Sequence, residues 1–128
     1  MDIREVSIGL LRSVAAVDLS GVPGAKRTLF TVPVGKVCVV THVVIRDRDG
    51  VLGTDYDFGS DGNCADWVQA VDLSDIGASE YKVIQDEPAA GAFGVYPVIA
   101  AGTIFGVKPI TGTAQTATID VFGYLYDA

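Results

Sequence analysis

The sequence has very little charge in its last third. Residues 88–119, thirty-two in all, contain a single charged side chain, Lys108. A membrane helix would explain such a stretch, since about 20 apolar residues span a bilayer. However, the stretch is interrupted by residues that weaken or break helices, namely Gly91, Gly94, Pro97, Gly102, Gly106, Pro109 and Gly112. We therefore expect buried short strands and turns here rather than a membrane span.

The chain is also short of the residues that enzymes and metal sites use. Its one histidine, His42, lies in a valine-rich run, and no nucleophile-elbow sequence is present. We therefore expect a half-buried sheet histidine and no enzyme. Cys38, His42 and Cys64 could be imagined as zinc ligands, but structural zinc usually takes four ligands at close spacing, so we expect no metal and no cofactor. Two cysteines make no disulfide framework, and two free thiols are favoured over a pair.

Positive charge is scarce, and this limits the classes of partner. The 9 basic residues are outnumbered by 16 acidic ones, which gives a net charge of −7. Nucleic acids and anionic membranes both require a basic patch, so we expect neither as a partner. No basic-then-apolar leader opens the sequence, and we expect the chain to be made and folded in a cytoplasm.

What the chain does have is a large apolar fraction. Of 128 residues, 49% are hydrophobic, and the mean hydropathy is +0.38. The length suits one domain with a real core. Because the apolar fraction exceeds what a lone domain of this size hides easily, we expect the chain to form oligomers.

Strand signals dominate the sequence from end to end. The strongest runs from Thr28 to Arg46, where Pro33 and Gly35 indicate a bend between a short strand and a long β-branched one. If the long strand alternates strictly, Val37, Val39, Thr41, Val43 and Ile45 share one face, and Cys38, Val40, His42, Val44 and Arg46 share the other. Further strands are predicted through Tyr56 and Phe58 and at residues 67–73, 81–85, 94–99, 103–110 and 117–126.

These strands predict the fold class and the domain organisation. No segment shows sustained helical periodicity, and the strands are joined by Gly, Pro and Asp turns. We predict an all-β, antiparallel jelly-roll sandwich of about eight strands. Residues 1–14 would be an N-terminal strand or arm, and residues 15–128 a single jelly-roll domain.

An acidic loop at residues 47–66 carries six aspartates and four glycines. Asp55, Asp57, Asp61 and Asn63 could offer oxygens to calcium, but their spacing does not match an EF-hand. Aspartate and glycine are also ordinary turn formers. Plain turns are the favoured interpretation, and a bound cation is left open.

The aromatic residues near the C-terminus are the candidate interaction site. In the strand at residues 117–126, Ile119, Val121 and Leu125 fall on one face, and Phe122, Tyr124 and Tyr126 on the other. A central strand covered on both sides would explain this pattern. An oligomer or partner interface would explain it equally well, since aromatics are enriched there. Phe105 and Val107 complete the predicted interface. A third hypothesis is a sugar-binding platform made of Trp67 and these tyrosines.

Three segments of the chain resemble a known family. They are T-V-P-V-G-K-V-C-V-V-T-H-V-V-I, the later D-F-G-S-D, and the closing D-V-F-G-Y-L-Y. In these the chain resembles small bacteriophage virion proteins with a jelly-roll fold. The resemblance implies a structural virion protein without catalytic residues. It also implies a homo-oligomer, with a trimer as the expected form, that binds the major capsid protein or other virion proteins.

The function expected from the sequence is therefore structural. We expect a capsid decoration (cement) protein that is located in the virion and packs its apolar β-faces into an oligomer on the shell. A phage tail or fibre component is the alternative within the same class. A carbohydrate-binding β-sandwich module is the alternative from another class.

Overall fold

The described part of the chain consists of eight strands and contains no helix. The computed structural model describes residues 8–21, 25–85 and 97–128. In chain order the strands are β1 (Gly9–Asp18), β2 (Arg27–Thr31), β3 (Lys36–Arg46), β4 (Asp55–Gly59), β5 (Val68–Val71), β6 (Lys82–Gln85), β7 (Ile104–Thr111) and β8 (Thr116–Asp127). Because no helix is present there, the described residues offer no helix that could cross a membrane. The prediction of an all-β protein is confirmed.

The strands form two four-stranded antiparallel sheets. Sheet A has the order β1-β8-β3-β6, and sheet B has the order β2-β7-β4-β5. All adjacent strands are antiparallel. Consecutive strands change sheet at every step except β4 to β5, which is the winding expected of a jelly roll. Since β1 runs from Gly9 to Asp18, it crosses the boundary suggested between residues 14 and 15, and its residues belong to the sandwich.

The core lies between the two sheets, and its largest members are aromatic. The largest fully buried side chains are those of Tyr56, Phe58 and Phe105. Phe105 and Val107 are both 0% exposed, because β7 is an inner strand of sheet B that turns these residues toward sheet A. They are buried by their own chain and cannot contact a partner, so their assignment to an interface is corrected.

Two glycine bends meet at one end of the sandwich. Gly35 (φ +78°) separates β2 from β3, as predicted, and Gly102 (φ +81°) precedes β7. Their segments are hydrogen-bonded to each other, since the Gly102 amide donates to the Val32 carbonyl at 2.9 Å and the Val32 amide donates to the Thr103 carbonyl at 3.0 Å. Both glycines adopt positive φ, which other residues reach only with strain.

The prediction of strict alternation along β3 is wrong in its second half. Val40 and His42 pair with the adjacent residues Gly123 and Phe122 of β8. Thr41 is therefore an extra residue in β3, which makes this a β-bulge. The buried positions are therefore Cys38 and Val40 before the bulge and Val43 and Ile45 after it. His42 and Val44 consequently face outward with Val37 and Val39, and not with Cys38.

The predicted strand at residues 94–99 is only partly covered by the structure. Residues 94–96 lie outside the described part of the chain. Ile99 is 2% exposed and forms a single antiparallel bridge with Cys38 of β3. Its amide donates to the Cys38 carbonyl at 2.8 Å, and its carbonyl accepts from the Cys38 amide at 2.9 Å. The described end of the segment thus adds one bridge to sheet A and not a strand.

Candidate interaction surface

The outer face of sheet A is the side that points away from sheet B, and it is apolar and aromatic at its centre. Its side chains come from three neighbouring strands, because the sheet order places β8 between β1 and β3. They are Leu10, Val37, Val39, His42, Val44, Phe122, Tyr124 and Tyr126. Each of these side chains is half-buried or exposed. A surface of this composition is the kind that proteins use to contact other proteins.

Cross-strand pairs organise this face into rows. Tyr126 lies opposite Val37, and Tyr124 lies opposite Val39. In the next row Phe122 lies between Leu10 on β1 and His42 on β3. Pairs of aromatic and β-branched residues on one sheet face pack against each other and hold their rotamers. These pairs therefore contribute to the stability of sheet A.

The rings of the face form two neighbouring pairs, of which one is stacked and the other is tilted by 34°. The His42 and Phe122 ring centroids are 4.6 Å apart with an angle of 6° between their planes. The Tyr124 and Tyr126 centroids are 6.2 Å apart. Thr41, the inserted residue of the bulge, holds its hydroxyl 3.0 Å from His42 Nδ1 and 3.3 Å from the Phe122 carbonyl. The bulge thus fixes the position of the histidine ring against the phenylalanine.

Ion pairs border the face at both ends of the β3–β8 pair. At one end Lys36 contacts Asp127, with a nitrogen-to-oxygen distance of 2.6 Å. At the other end Arg46 Nε donates to Asp120 Oδ2 at 2.8 Å, and the Ser13 hydroxyl donates to Asp120 Oδ1. An apolar centre with a polar border is the usual composition of a protein–protein contact.

Asp120 is the one buried charged residue among the described residues, with 8% exposure. Burial alone raises the pKa of its carboxyl group. The hydrogen bonds from Arg46 and Ser13, with the charge of Arg46, outweigh this effect and bring the pKa below its ordinary value. The carboxylate is therefore ionised at neutral pH and ties β1, β8 and β3 together at the polar end of the face.

A shallow hollow on the outer face lies beside Tyr124. Its volume is about 290 Å³, and its lining includes Ile8, Val39 and Thr41. Ile8 is 59% exposed and Leu10 is 56% exposed. These two large side chains lie at and just before the start of β1. A second surface that covered them would remove them from solvent, and burying each would stabilise the contact by about 1–2 kcal/mol.

The structure brings together three of the five predicted interface residues. Phe122, Tyr124 and Tyr126 share the outer face of sheet A and are half-buried, and their role in an interface stays a prediction. Sequence reasoning missed Leu10 and the whole contribution of β3. A strict two-residue period places His42 and Val44 on the same face as Cys38, and no residue in that run of valines marks the bulge.

Two aspartates of the acidic loop, Asp61 and Asp66, bind its own backbone, and Asp57 binds the backbone of β5. Asp57 Oδ1 accepts the Ala70 amide at 2.9 Å, and Asp61 Oδ1 accepts the Ala65 amide at 2.6 Å. Asp66 accepts two further backbone amides within the loop. Within residues 8–21, 25–85 and 97–128, no three His, Cys, Asp or Glu side chains are placed to hold a metal ion. The arrangement fits turn-forming aspartates.

The hypothetical zinc and sugar sites do not assemble. Cys38 faces the core and His42 faces outward, on account of the bulge, and Cys64 is buried in a loop of the other half of the sandwich. Trp67 is 7% exposed and packs edge-on against Phe105, with the centroids 5.2 Å apart. The platform of Trp67 and the C-terminal tyrosines is therefore corrected, because the tryptophan lies in the core.

Comparisons with known proteins add little to this description. No protein-family model and no curated protein matches the chain. A solved chain described as part of the cyanophage Pam1 capsid asymmetric unit is similar at 16% identity. That alignment covers 94% of this chain and 84% of the other, with a TM-score of 0.49. The fold assignment therefore rests on the strand pairing of the chain itself.

Proposed function

We propose that the chain is a structural protein of a bacteriophage virion, and specifically a decoration protein that binds the capsid shell. One observation carries the proposal: the outer face of sheet A presents aromatic and aliphatic side chains inside a border of ion pairs. The resemblance of three sequence segments to small virion proteins supplies the setting. Self-association and contact with virion proteins are both part of the proposal.

The dimensions of the outer face suit a protein partner. Four strands at about 4.8 Å spacing and a β3 of 11 residues give a surface of about 20 by 35 Å. This is close to the ~800 Å² that each partner contributes to a standard interface. The pockets of the described residues are shallow and open, so the surface offers area rather than an enclosed site for a small molecule.

The charge of the chain is compatible with this role. The outer face has aromatic residues at its centre, while Asp61 and Asp66 of the acidic loop accept backbone amides of that loop. A chain of net charge −7 repels further copies and other acidic proteins at long range. Apolar contact must therefore provide most of the binding free energy, and we expect binding to be retained at high salt.

A shell-binding assay tests the proposal. Capsid shells stripped of accessory proteins are mixed with the chain and sedimented. We expect the natural chain to cosediment and Tyr124→Asp to bind about 30-fold more weakly, since a central aromatic contributes about 2 kcal/mol or more to such contacts. Val51→Asp is the matched control, because Val51 is 60% exposed and lies in a loop away from the face.

The outcomes separate the candidate roles. Binding of both variants at the strength of the natural chain would show that the outer face is not the contact surface. Absence of binding by the natural chain itself to shells, with binding to isolated tails or fibres, would replace the decoration role by the tail or fibre role. Circular dichroism of each variant confirms that the fold is intact.

A further inference from the structure

His42 is the one histidine of the chain, and the β-bulge of β3 determines where it points. It directly follows Thr41, the extra residue of the bulge. Without that residue, strict alternation would turn His42 toward the core with Cys38. Bulges in sheets commonly re-aim a side chain beside a functional site. Histidine is the one type of side chain whose charge ordinarily changes between pH 5 and 8, and the bulge places the chain's histidine on the outer face.

The contacts of the Thr41 hydroxyl determine which ring nitrogen of neutral His42 carries the hydrogen. The hydroxyl has one hydrogen, and it lies 3.3 Å from the Phe122 carbonyl, which can only accept. Because the hydrogen is donated to that carbonyl, the hydroxyl oxygen accepts from His42 Nδ1, which lies 3.0 Å away. This network assigns the hydrogen of the neutral ring to Nδ1. Nε2 is therefore left as a hydrogen-bond acceptor.

The ring of His42 lies among neutral side chains. It stacks on Phe122 of β8, with the centroids 4.6 Å apart, and Tyr124 is the next side chain of β8 on that face. On the other side of β3, Gln85 of β6 is its cross-strand partner. On β1, Leu10 lies opposite Phe122. The ring therefore lies in the apolar centre of the face and not at its charged border.

The charged groups of the three neighbouring strands have partners of their own. In the described part of the chain, Asp120 of β8 is bound to Arg46, Lys82 of β6 is bound to Asp75, and Arg12 of β1 donates to the Leu29 carbonyl. None of the ion pairs between described residues includes His42. A positive charge on this ring would thus lack a free counter-ion among those residues, and covering it with an apolar contact would be costly.

We propose that His42 makes the contact of the outer face with the shell pH-dependent. In the neutral ring, Nε2 accepts a hydrogen bond from a donor of the shell protein. Protonation puts a hydrogen on Nε2, which removes the acceptor and adds a charge that the contact has to bury. The shell is therefore bound at neutral pH and released in acid. This inference rests on the proposed function, and it specifies the partner surface as apolar with a hydrogen-bond donor opposite His42.

Proton linkage gives the size of the effect. A contact that accepts only the neutral ring is weakened by the factor by which protonation depletes that form. For a histidine of ordinary pKa, this factor is about ten at pH 5.5 and about one at pH 7.5. Aspartate and glutamate ordinarily stay ionised over the same range. We therefore expect binding to the shell to weaken about tenfold between pH 7.5 and pH 5.5.

Cosedimentation with stripped shells at the two pH values tests the inference. His42→Gln retains an acceptor oxygen and does not titrate in this range, so it should lack the tenfold pH response. His42→Lys carries a permanent charge, and at pH 7.5 it should bind about tenfold more weakly than His42→Gln. A pH response that arises on the shell would appear in the natural chain and in both variants. The ratio of affinities at pH 7.5 and pH 5.5 should thus be about tenfold larger for the natural chain than for His42→Gln.

The outcomes separate this inference from the function on which it rests. Absence of binding by the natural chain to shells at pH 7.5 would overturn both. Binding with the same pH dependence in the natural chain and in His42→Gln would overturn the inference alone. Circular dichroism at both pH values confirms that each chain is folded.

Nitrogen-15 NMR of the natural chain gives a second measurement that requires neither a variant nor the shell. At pH 7.5 the chemical shifts of the His42 ring should show a hydrogen on Nδ1 and none on Nε2. A ring with its hydrogen on Nε2 would have no acceptor to offer to a partner, and this result would also overturn the inference.

Discussion

Gly123 lies on β8 where that strand passes the bulge of β3, and the two backbones approach closely there. A methyl group at Gly123 would lie 2.0 Å from the Val39 carbonyl oxygen and 3.0 Å from Val40 Cα. Both neighbours are backbone atoms of an inner strand, so neither can rotate away. Gly123→Ala must therefore push β8 and β3 apart beside the bulge.

The cost of this separation is set by overpacking and by lost hydrogen bonds. Forcing an extra methyl group into a packed site costs about 1–3 kcal/mol, and loss of a ladder hydrogen bond adds about 1 kcal/mol. The loss of backbone freedom in the unfolded chain offsets up to about 1 kcal/mol. We expect Gly123→Ala to lower the free energy of unfolding by about 2–3 kcal/mol and Tm by about 10 °C.

Gly9 offers a matched control, because it pairs directly with Gly123 across β1 and β8. A methyl group at Gly9 would meet nothing within 4 Å, so Gly9→Ala should change stability by less than about 0.5 kcal/mol. Chemical denaturation followed by tryptophan fluorescence measures both variants, since Trp67 is buried. Equal stability of the two variants would refute the close approach of β8 to the bulge.

Two further predictions concern titrating groups. The lowered pKa of Asp120 stabilises the fold at pH values above the unfolded carboxyl pKa, and this contribution is lost as pH falls through the folded pKa. Asp120→Asn should therefore cost about 1–2 kcal/mol at pH 7 and little near pH 2, and a pH-independent difference in urea unfolding would contradict this. Burial raises the pKa of the Cys38 and Cys64 thiols to about 11. Both should stay unlabelled by a thiol reagent at neutral pH until the chain unfolds, and stability should fall as pH rises from about 8.5 toward 11; immediate labelling of either thiol would contradict their burial.

The fold could be predicted from the sequence where local signals and burial agree. The bend at Pro33 and Gly35 separates β2 from β3 as expected, because the positive φ of Gly35 needs glycine. The closing strand alternates as predicted, with Ile119 and Val121 buried and the aromatic residues outward. At the bend a turn-forming residue determines the structure, and in the closing strand an unbroken two-residue period does so. Both signals can be read directly from the sequence.

The candidate site could be predicted only in part, because β-bulges leave no mark in the sequence. Thr41 stands in a row of β-branched residues, any of which could be the inserted one. Its insertion reverses the orientation of everything that follows in β3, so the stacking of His42 on Phe122 could not be foreseen. The assignment of Phe105 and Val107 to an interface was wrong for another reason. The order of strands in the two sheets makes β7 an inner strand, and no local sequence pattern reveals that order.

The location of the apolar surplus changes the argument for assembly. The lack of charge in residues 97–119 is accounted for within the chain, since β7 is an inner strand with Phe105 and Val107 wholly buried. Exposed large apolar side chains within strands lie on both sheets, with Leu10 and Val83 on sheet A and Ile104 and Ile110 on sheet B. The half-buried aromatic residues Phe122, Tyr124 and Tyr126, in contrast, all lie on the outer face of sheet A. Shell binding should therefore be lost by polar substitutions on that face, while polar substitutions of Ile104 and Ile110 on sheet B should not affect it.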